Sequence, residues 1–311
     1  MESSAVNTIL SHYQSDSPGV KGNLYRILMH GRLGGTGRMI ILPVDQGFEH
    51  GPARSFSPNP AAYDPLYHFQ LATEAGMNAF AAPLGMLEAG ADIFAGRIPT
   101  ILKMNSANSL SPSDSPKDQA VTACVNDALR LGCSAVGFTI YPSSSAAQNM
   151  MEEIKEIACE AKSKGIAVVI WSYPRGEALT KKGETALDVT AYAAQIAALL
   201  GAHIIKVKIP DEHIETPECQ KIYSTYSIPM ATKIERIRHV MQAAFNGRRI
   251  VVFSGGAKKD TDSLLEDARA IHLGGGHGSI VGRNMFQRRP EEALALLTEM
   301  VDIYSGSMYP E

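Results

Sequence analysis

Short apolar segments recur along the chain, each six to eight residues long, rich in β-branched side chains and bounded by Gly, Pro or Asn. Continuous apolar runs are typical of parallel strands buried on both faces, because a strand with one face in solvent would alternate apolar and polar positions. The pattern predicts eight such strands, at 39–45, 78–83, 99–104, 134–140, 166–173, 202–209, 249–255 and 278–283.

Amphipathic segments of helical period lie between these strands. One example is 115–132 (SPKDQAVTACVNDALRLG), where Ser115 is a candidate N-cap, Pro116 suits the first turn and Gly132 is a stop signal. The junctions LGCSAV and LGAHII repeat one arrangement, a helix-ending Gly followed shortly by a strand. Eight strands alternating with helices predict an α/β fold of the (β/α)8 (TIM) barrel type, and a doubly wound sheet is the alternative.

The segment order suggests one domain in the 311 residues. Residues 1–38 are expected to form an N-terminal helical extension that caps the bottom of the barrel or joins an oligomer contact. Residues 39–305 are expected to be a single barrel catalytic domain, and 306–311 a C-terminal tail. Polar loops rich in Pro and Ser follow the first and third strands. In a barrel, loops at that end carry the functional site.

The charge balance narrows the classes of partner. The chain has 29 Lys and Arg against 32 Asp and Glu, a net charge of −3, which provides no basic surface for nucleic acid or an anionic membrane. No apolar run approaches the roughly 18 residues of a membrane-spanning helix, and the N-terminus lacks the features of a signal peptide. The four cysteines have no CxxC spacing. We therefore expect a cytoplasmic protein that binds a small molecule.

Two lysines, Lys206 and Lys208, lie in the apolar sixth strand AHIIKVKIP and share one of its faces. Desolvation and a second nearby ammonium both lower a lysine pKa, and a neutral amine can attack a ketone to form a Schiff base. The alternative is that each lysine only forms an ion pair with a carboxylate at the barrel rim. The strand by itself leaves both interpretations open.

Further polar residues fall at the carboxyl ends of the first and fifth strands. Asp45 follows the first strand directly and is expected to face the sixth-strand lysine as an ion pair or proton relay. Tyr173 is a candidate general acid/base and Trp171 a candidate pocket wall, although each alone is typical of core packing. His50, in the loop after the first strand, is a candidate relay or substrate contact, with loop packing as the default interpretation.

Glycine-rich turns follow the seventh and eighth strands, where barrels commonly bind phosphate through backbone amides. The candidate residues are Ser254, Gly255, Gly256, Gly282 and Arg283. A pair of ordinary tight turns is the alternative. The segment GRLGGTGR precedes the first strand and so does not fit a dinucleotide loop. The histidines show neither HxH nor HExxH spacing, so no metal and no other cofactor are expected.

Seven motifs carry a family resemblance: LPVDQGFEHGP, TILKMN, SAVGFTIYP, VVIWSYPRG, AHIIKVKIP, VFSGG and GSIVGRNMFQR. In this order they resemble the archaeal-type class I fructose-bisphosphate aldolases, in particular their bacterial branch. The resemblance implies a (β/α)8 lyase of glycolysis and gluconeogenesis. Such an enzyme cleaves fructose 1,6-bisphosphate reversibly into dihydroxyacetone phosphate and glyceraldehyde 3-phosphate, through a Schiff base and without metal. It also implies a homo-oligomer, such as a ring-based decamer.

The resemblance assigns roles residue by residue. The Schiff-base lysine falls on Lys206, the proton-transfer tyrosine and its neighbouring tryptophan on Tyr173 and Trp171, and the strand-one aspartate on Asp45. His50 also matches. The phosphate-binding turns fall on Ser254, Gly255, Gly256, Gly282 and Arg283. A concentration of cations near the rim suits a doubly phosphorylated substrate, and it consists of Lys206, Lys208, Lys258, Lys259 and Arg283.

One position departs from the family pattern, because Gln46 stands where many archaeal members have His. The role of that position is therefore open. Two other functions also stay open. One is a related Schiff-base aldolase or thiolase that acts on another phosphorylated ketose. The other is a non-catalytic barrel that binds a sugar phosphate.

Overall fold

Eight strands pair in parallel and close into a barrel, which confirms the predicted fold and excludes the doubly wound sheet. The structure is a computed structural model and describes residues 3–112, 115–255 and 259–307. The barrel strands are β1 (Met39–Pro43), β2 (Ala79–Pro83), β3 (Thr100–Lys103), β4 (Ala135–Ile140), β5 (Ala167–Ser172), β6 (Ile204–Lys208), β7 (Ile250–Ser254) and β8 (Gly278–Ile280). Each pairs with its neighbours in sequence, and β8 pairs with β1.

Helices precede the barrel and connect its strands. They are α1 (Ser4–Ser11), α2 (Pro18–Met29), α3 (Gln46–His50), α4 (Pro52–Phe56), α5 (Pro65–Glu74), α6 (Leu84–Gly90), α7 (Val125–Arg130), α8 (Ala147–Ser163), α9 (Leu187–Leu199), α10 (Pro217–Thr225), α11 (Lys233–Ala243), α12 (Thr261–Leu273), α13 (Arg283–Phe286) and α14 (Pro290–Tyr304), with 3-10 turns at Pro60–Tyr63 and Gly183–Thr185. Within the described ranges, no helix is long and apolar enough to cross a membrane.

The helix predicted over 115–132 is wrong in its first half, because only α7 is helical. Ala120–Val121 instead pairs antiparallel with Asn105–Ser106, next to the end of β3. The Gln119 side chain turns inward, where its Nε2 donates to the Tyr141 hydroxyl over 2.7 Å. These tertiary contacts outweigh the preference of Ser115 for a helix N-cap, which is worth only about 1 kcal/mol.

The core has two layers because both faces of the sheet are covered. One apolar cluster lies between the strands and the outer helices, and includes Phe69, Phe80 and Phe138. A second fills the barrel interior and continues into the N-terminal helices.

The helices α1 and α2 close the amino-terminal end of the barrel. Leu24 and Ile27 are fully buried against the barrel interior. Between the two helices, the Tyr13 hydroxyl donates to the carbonyl oxygen of His203 (2.7 Å) and accepts from the amide of Ile250 (3.1 Å). This segment therefore seals the bottom of the barrel, and the carboxyl-terminal loops lie at the opposite end.

Candidate active site

A cavity opens at the carboxyl ends of the strands, the end at which barrel enzymes place their sites. Its empty volume is about 820 Å³, which includes space open to solvent. The predicted residues that line it are Asp45, His50, Tyr173, Lys206, Lys208, Ser254, Gly255, Gly282 and Arg283. The fold therefore gathers side chains from the ends of five strands around one space.

Lys206 lies in β6 with only 4% of its surface exposed. Its Nζ is 5.7 Å from the centroid of the Trp171 ring and 5.3 Å from that of the Tyr173 ring. Burial disfavours the ammonium and lowers the pKa of Lys206 to about 8, against the opposing attraction of Asp45 and Glu49. A usable fraction of the amine is therefore neutral near pH 7, as a Schiff-base nucleophile requires.

A second buried amine, that of Lys103 in β3, lines the same cavity. Its Nζ donates to the backbone carbonyl of Asn105 and to Asn105 Oδ1 (3.0 Å for the latter). Burial also lowers the pKa of Lys103 to about 8. Lys103 was not among the site residues predicted from the sequence. The sequence did contain a signal for this residue, because Lys103 lies inside the apolar strand TILKMN. Burying its ammonium has the same kind of desolvation cost as burying that of Lys206.

The indole of Trp171 lies close to both amines. It is 1% exposed and belongs to the buried barrel interior, with Lys103 Nζ 5.8 Å from its centroid. Gly137 on the neighbouring strand β4 leaves room for the indole, since a Cβ at that position would lie 2.0 Å from a ring carbon. Trp171 itself is not among the residues that line the cavity, so it is not the predicted pocket wall and contacts the site through the two amines near its ring.

Asp45 and Tyr173 complete the inner part of the cavity. Asp45 follows β1 at the start of α3, and its charge raises the pKa of both lysines and of Tyr173, which places the carboxylate near all three groups. Burial is the main cause that raises the pKa of Tyr173. The phenol therefore keeps its proton near pH 7 and can act as an acid before it acts as a base.

The outer part of the cavity is built around Arg175, which the sequence analysis did not assign. Its Nη1 donates to Glu49 Oε1 over 2.9 Å, and its guanidinium carbon lies 5.2 Å and 5.8 Å from the ring centroids of Tyr173 and Tyr141. His50 lies beside this pair, with its Nε2 3.8 Å from Glu49 Oε2. Burial lowers the pKa of His50, so this side chain is neutral at pH 7.

The two predicted phosphate turns lie next to each other, because β7 and β8 are paired. Ser254 and Gly255 lie at the end of β7, and Gly282 and Arg283 follow β8. All four residues line the cavity. Gly282 approaches β1 so closely that a Cβ there would lie 2.7 Å from the carbonyl oxygen of Pro43. This position therefore requires glycine for space.

The remaining predicted cations do not all face the cavity. Gly256 and Lys258 lie outside the described residues. Lys259 donates through Nζ to Asp267 Oδ2 over 2.6 Å, so its charge is neutralised by a buried carboxylate of α12. Lys259 is not among the residues that line the cavity, and its ammonium is engaged by Asp267.

Lys208 lines the cavity, but its ammonium donates to Glu184 over 3.0 Å. The main cations that lower the pKa of Lys206 are Arg175 and Arg283, and burial outweighs both. The effect expected of Lys208 on the pKa of Lys206 is smaller than that of these two arginines, and the ammonium of Lys208 is paired with Glu184.

The donor chemistry of the site is that of amines, a phenol and carboxylates. In the part of the chain that the structure describes, no cluster of three or more His, Cys, Asp or Glu side chains could hold a metal ion. Nucleophilic attack and proton transfer are the reactions that the described groups support.

Residues 39–288 match the family described as "DeoC/LacD family aldolase", a range that contains all eight strands of the barrel. The chain belongs to the DeoC/LacD aldolase family. This aldolase is 35% identical to a protein of Chlamydia muridarum named "Probable fructose-bisphosphate aldolase class 1", over 91% of this chain and 83% of the relative. The "Fructose-bisphosphate aldolase class 1" of Thermoproteus tenax is also 35% identical, over 88% of this chain and 93% of the relative.

The aldolase is also similar to a solved archaeal structure. That structure is an archaeal fructose-1,6-bisphosphate aldolase whose catalytic lysine is covalently bound to the carbinolamine intermediate of the substrate. The TM-score is 0.75 at 31% identity, and the match covers 91% of this chain and 99% of that one. The likeness therefore extends over the barrel and most of the flanking segments.

Proposed function

We propose that this aldolase is a class I fructose-bisphosphate aldolase, a lyase that cleaves fructose 1,6-bisphosphate reversibly into dihydroxyacetone phosphate and glyceraldehyde 3-phosphate. The observation that carries the proposal is the buried amine of Lys206, with its lowered pKa, in one cavity with Asp45 and Tyr173. The curated relatives and the archaeal structure carry the same activity in their names, which supports it.

The reaction begins when neutral Lys206 attacks C2 of the open-chain ketose and forms a carbinolamine. Tyr173 gives its phenol proton to the carbinolamine hydroxyl, which leaves as water, and an iminium and a phenolate result. The phenolate is stable only beside that cation, since burial otherwise favours the neutral phenol. Asp45 orients the amine and balances its charge.

Cleavage then follows from the iminium. The Tyr173 phenolate takes the proton of the C4 hydroxyl, the C3–C4 bond breaks, and its electron pair enters the iminium to give an enamine. The aldehyde leaves with C4 as its carbonyl carbon. Tyr173 returns the proton to C3 and becomes a phenolate again. Water then hydrolyses the new iminium to dihydroxyacetone phosphate and neutral Lys206, and the proton released in this step restores the Tyr173 phenol.

The charged groups around the cavity bind the two phosphates. The turns at Ser254–Gly255 and Gly282–Arg283 hold one phosphate near C1 through backbone amides and a guanidinium. Arg175, which lines both the cavity and the wider groove outside it, supplies positive charge for the second phosphate. Binding energy from both ends aligns C2 with the amine of Lys206.

Borohydride reduction in the presence of fructose 1,6-bisphosphate tests this proposal. We expect a covalent adduct on the peptide that contains Lys206, and loss of both the adduct and turnover in Lys206→Met. Lys208→Met is the matched control and should still be trapped. Unmodified Lys206 in an active wild-type enzyme would overturn the Schiff-base mechanism, and binding of the sugar phosphate without cleavage would indicate a non-catalytic barrel.

Competition with other phosphorylated ketoses determines the substrate. A kcat/KM for another ketose phosphate well above that for fructose 1,6-bisphosphate would assign the same Schiff-base chemistry to a different substrate. This outcome would leave the role of Lys206 intact.

We also propose that the aldolase is a cytoplasmic homo-oligomer. Large side chains on α9 and after α10 are exposed, including Tyr192 (67%), Leu199 (67%) and Tyr226 (72%), which supports an association surface. Sedimentation equilibrium tests the oligomeric state, and a monomer at micromolar concentration would contradict it.

A further inference from the structure

Gln119 is buried although most of the loop that carries it is exposed. Its side chain is 6% exposed, and its Nε2 donates to the Tyr141 hydroxyl over 2.7 Å. Its Oε1 is buried and has no hydrogen-bond partner among the described residues. A buried acceptor without a donor is costly, unless a bound molecule supplies the donor. Gln119 lines the cavity, and a turn of its amide toward the cavity would let a bound ligand supply that donor.

Tyr141 presents the complementary group. It follows β4, is 4% exposed and lines the same cavity. Because its oxygen accepts the amide hydrogen of Gln119, its own hydrogen is available to another acceptor. Burial raises the pKa of Tyr141 to about 12, so the hydroxyl keeps this hydrogen near pH 7. An acceptor and a donor therefore lie side by side, and an alcohol hydroxyl matches both because it can donate and accept.

The pair lies where the inner cavity meets a wider outer groove. Lys206 lines the inner cavity, whereas Gln119, Tyr141 and Arg175 line both the cavity and the groove. A ketose attached at C2 to Lys206 therefore directs its far carbons toward this junction. The half that becomes dihydroxyacetone phosphate remains on the side of Lys206.

We propose that Gln119 and Tyr141 determine specificity by binding the hydroxyl next to the carbonyl carbon of the leaving aldehyde. This inference rests on the aldol cleavage proposed above. Tyr141 donates to that hydroxyl, and the hydroxyl donates to Oε1 of Gln119. An aldehyde phosphate without the hydroxyl leaves both buried groups unpaired, and its addition should be slower by about tenfold or more.

The experiment measures aldol addition of dihydroxyacetone phosphate to two acceptors. One is D-glyceraldehyde 3-phosphate, and the other is 3-phosphooxypropanal, which lacks the 2-hydroxyl group. The wild type should prefer the hydroxylated acceptor in kcat/KM by about tenfold or more. Tyr141→Phe and Gln119→Leu each remove one partner with little change in volume and should abolish most of this preference. Tyr192→Phe, an exposed tyrosine of α9, is the matched control and should retain it.

Borohydride trapping of dihydroxyacetone phosphate separates this inference from the function on which it rests. This ketose has no aldehyde half, so trapping on Lys206 should proceed at the wild-type rate in both variants. A wild type that traps no dihydroxyacetone phosphate would refute the proposed function itself. Normal trapping with an unchanged acceptor preference would refute only the role of the pair. Trapping lost in both variants would show that the pair is structural, which would also overturn the inference.

Discussion

Replacing Lys206 with Met is expected to abolish Schiff-base trapping and, at the same time, to stabilise the folded protein. The amine is 4% exposed, and its pKa lies at about 8 instead of the ordinary 10.5. One pH unit corresponds to about 1.4 kcal/mol, so holding the ammonium in this cavity costs roughly 3 kcal/mol of the free energy of unfolding. Methionine fills a similar volume without this cost.

The stabilisation of the folded protein by Lys206→Met should decrease as the pH rises. Below about pH 8 the lysine is protonated in both the folded and the unfolded chain, so the full cost is present. Between about pH 8 and 10.5 the folded protein has lost the proton while the unfolded chain keeps it, and the cost falls as the pH rises. The charge of Lys206 also lowers the pKa of Lys103. Lys206→Met should therefore also reduce the cost of burying the Lys103 ammonium, which adds to the stabilisation.

Urea unfolding at pH 7 and pH 10 measures this effect. We expect Lys206→Met to raise the free energy of unfolding by roughly 3 kcal/mol at pH 7 and by less than about 1 kcal/mol at pH 10. Lys208→Met is the control, because the pairing with Glu184 opposes the effect of burial on the pKa of Lys208, so its loss should give a smaller stabilisation than that of Lys206. An equal free-energy difference at both pH values, or a less stable Lys206→Met at pH 7, would refute the argument from burial of the ammonium.

Three further predictions concern single positions. Tyr173→Phe should lower the cleavage rate by about 100-fold or more, because one proton-transfer group is lost; a kcat within threefold of the wild type would remove Tyr173 from the reaction. Gly137→Ala should displace the Trp171 indole, whose nearest carbon would lie 2.0 Å from the new Cβ, and should reduce borohydride trapping on Lys206. Unchanged Trp fluorescence and unchanged trapping would contradict this. Tyr13→Phe should lower the free energy of unfolding by about 1 kcal/mol without changing KM, because the His203 carbonyl and the Ile250 amide keep only the hydrogen bond between them; urea unfolding within 0.5 kcal/mol of the wild type, roughly the usual range of surface changes, would argue against it.

The sequence was most informative where local and tertiary preferences agree. All eight strands were located within about two residues at most ends, because a strand buried on both faces must be apolar throughout. Lys206, Asp45 and Tyr173 became candidates because they are polar groups in or after apolar strands, and the family resemblance supplied their roles; the structure places all three on one cavity. The helix predicted over 115–132 failed because Asn105–Ser106 provides a strand partner that no local pattern reveals.

The sequence by itself determined the barrel, the order of its strands and the residue types available at one rim, because periodicity and desolvation cost are properties of short segments. Only the tertiary structure decided which charges meet. Lys103 and Lys206 are three strands apart and share one indole because Gly137 leaves space between them. Glu184 neutralises Lys208, and Gln119 reaches Tyr141, through contacts between distant segments. Electrostatic coupling depends on distance in space, which the spacing of residues along the chain does not specify.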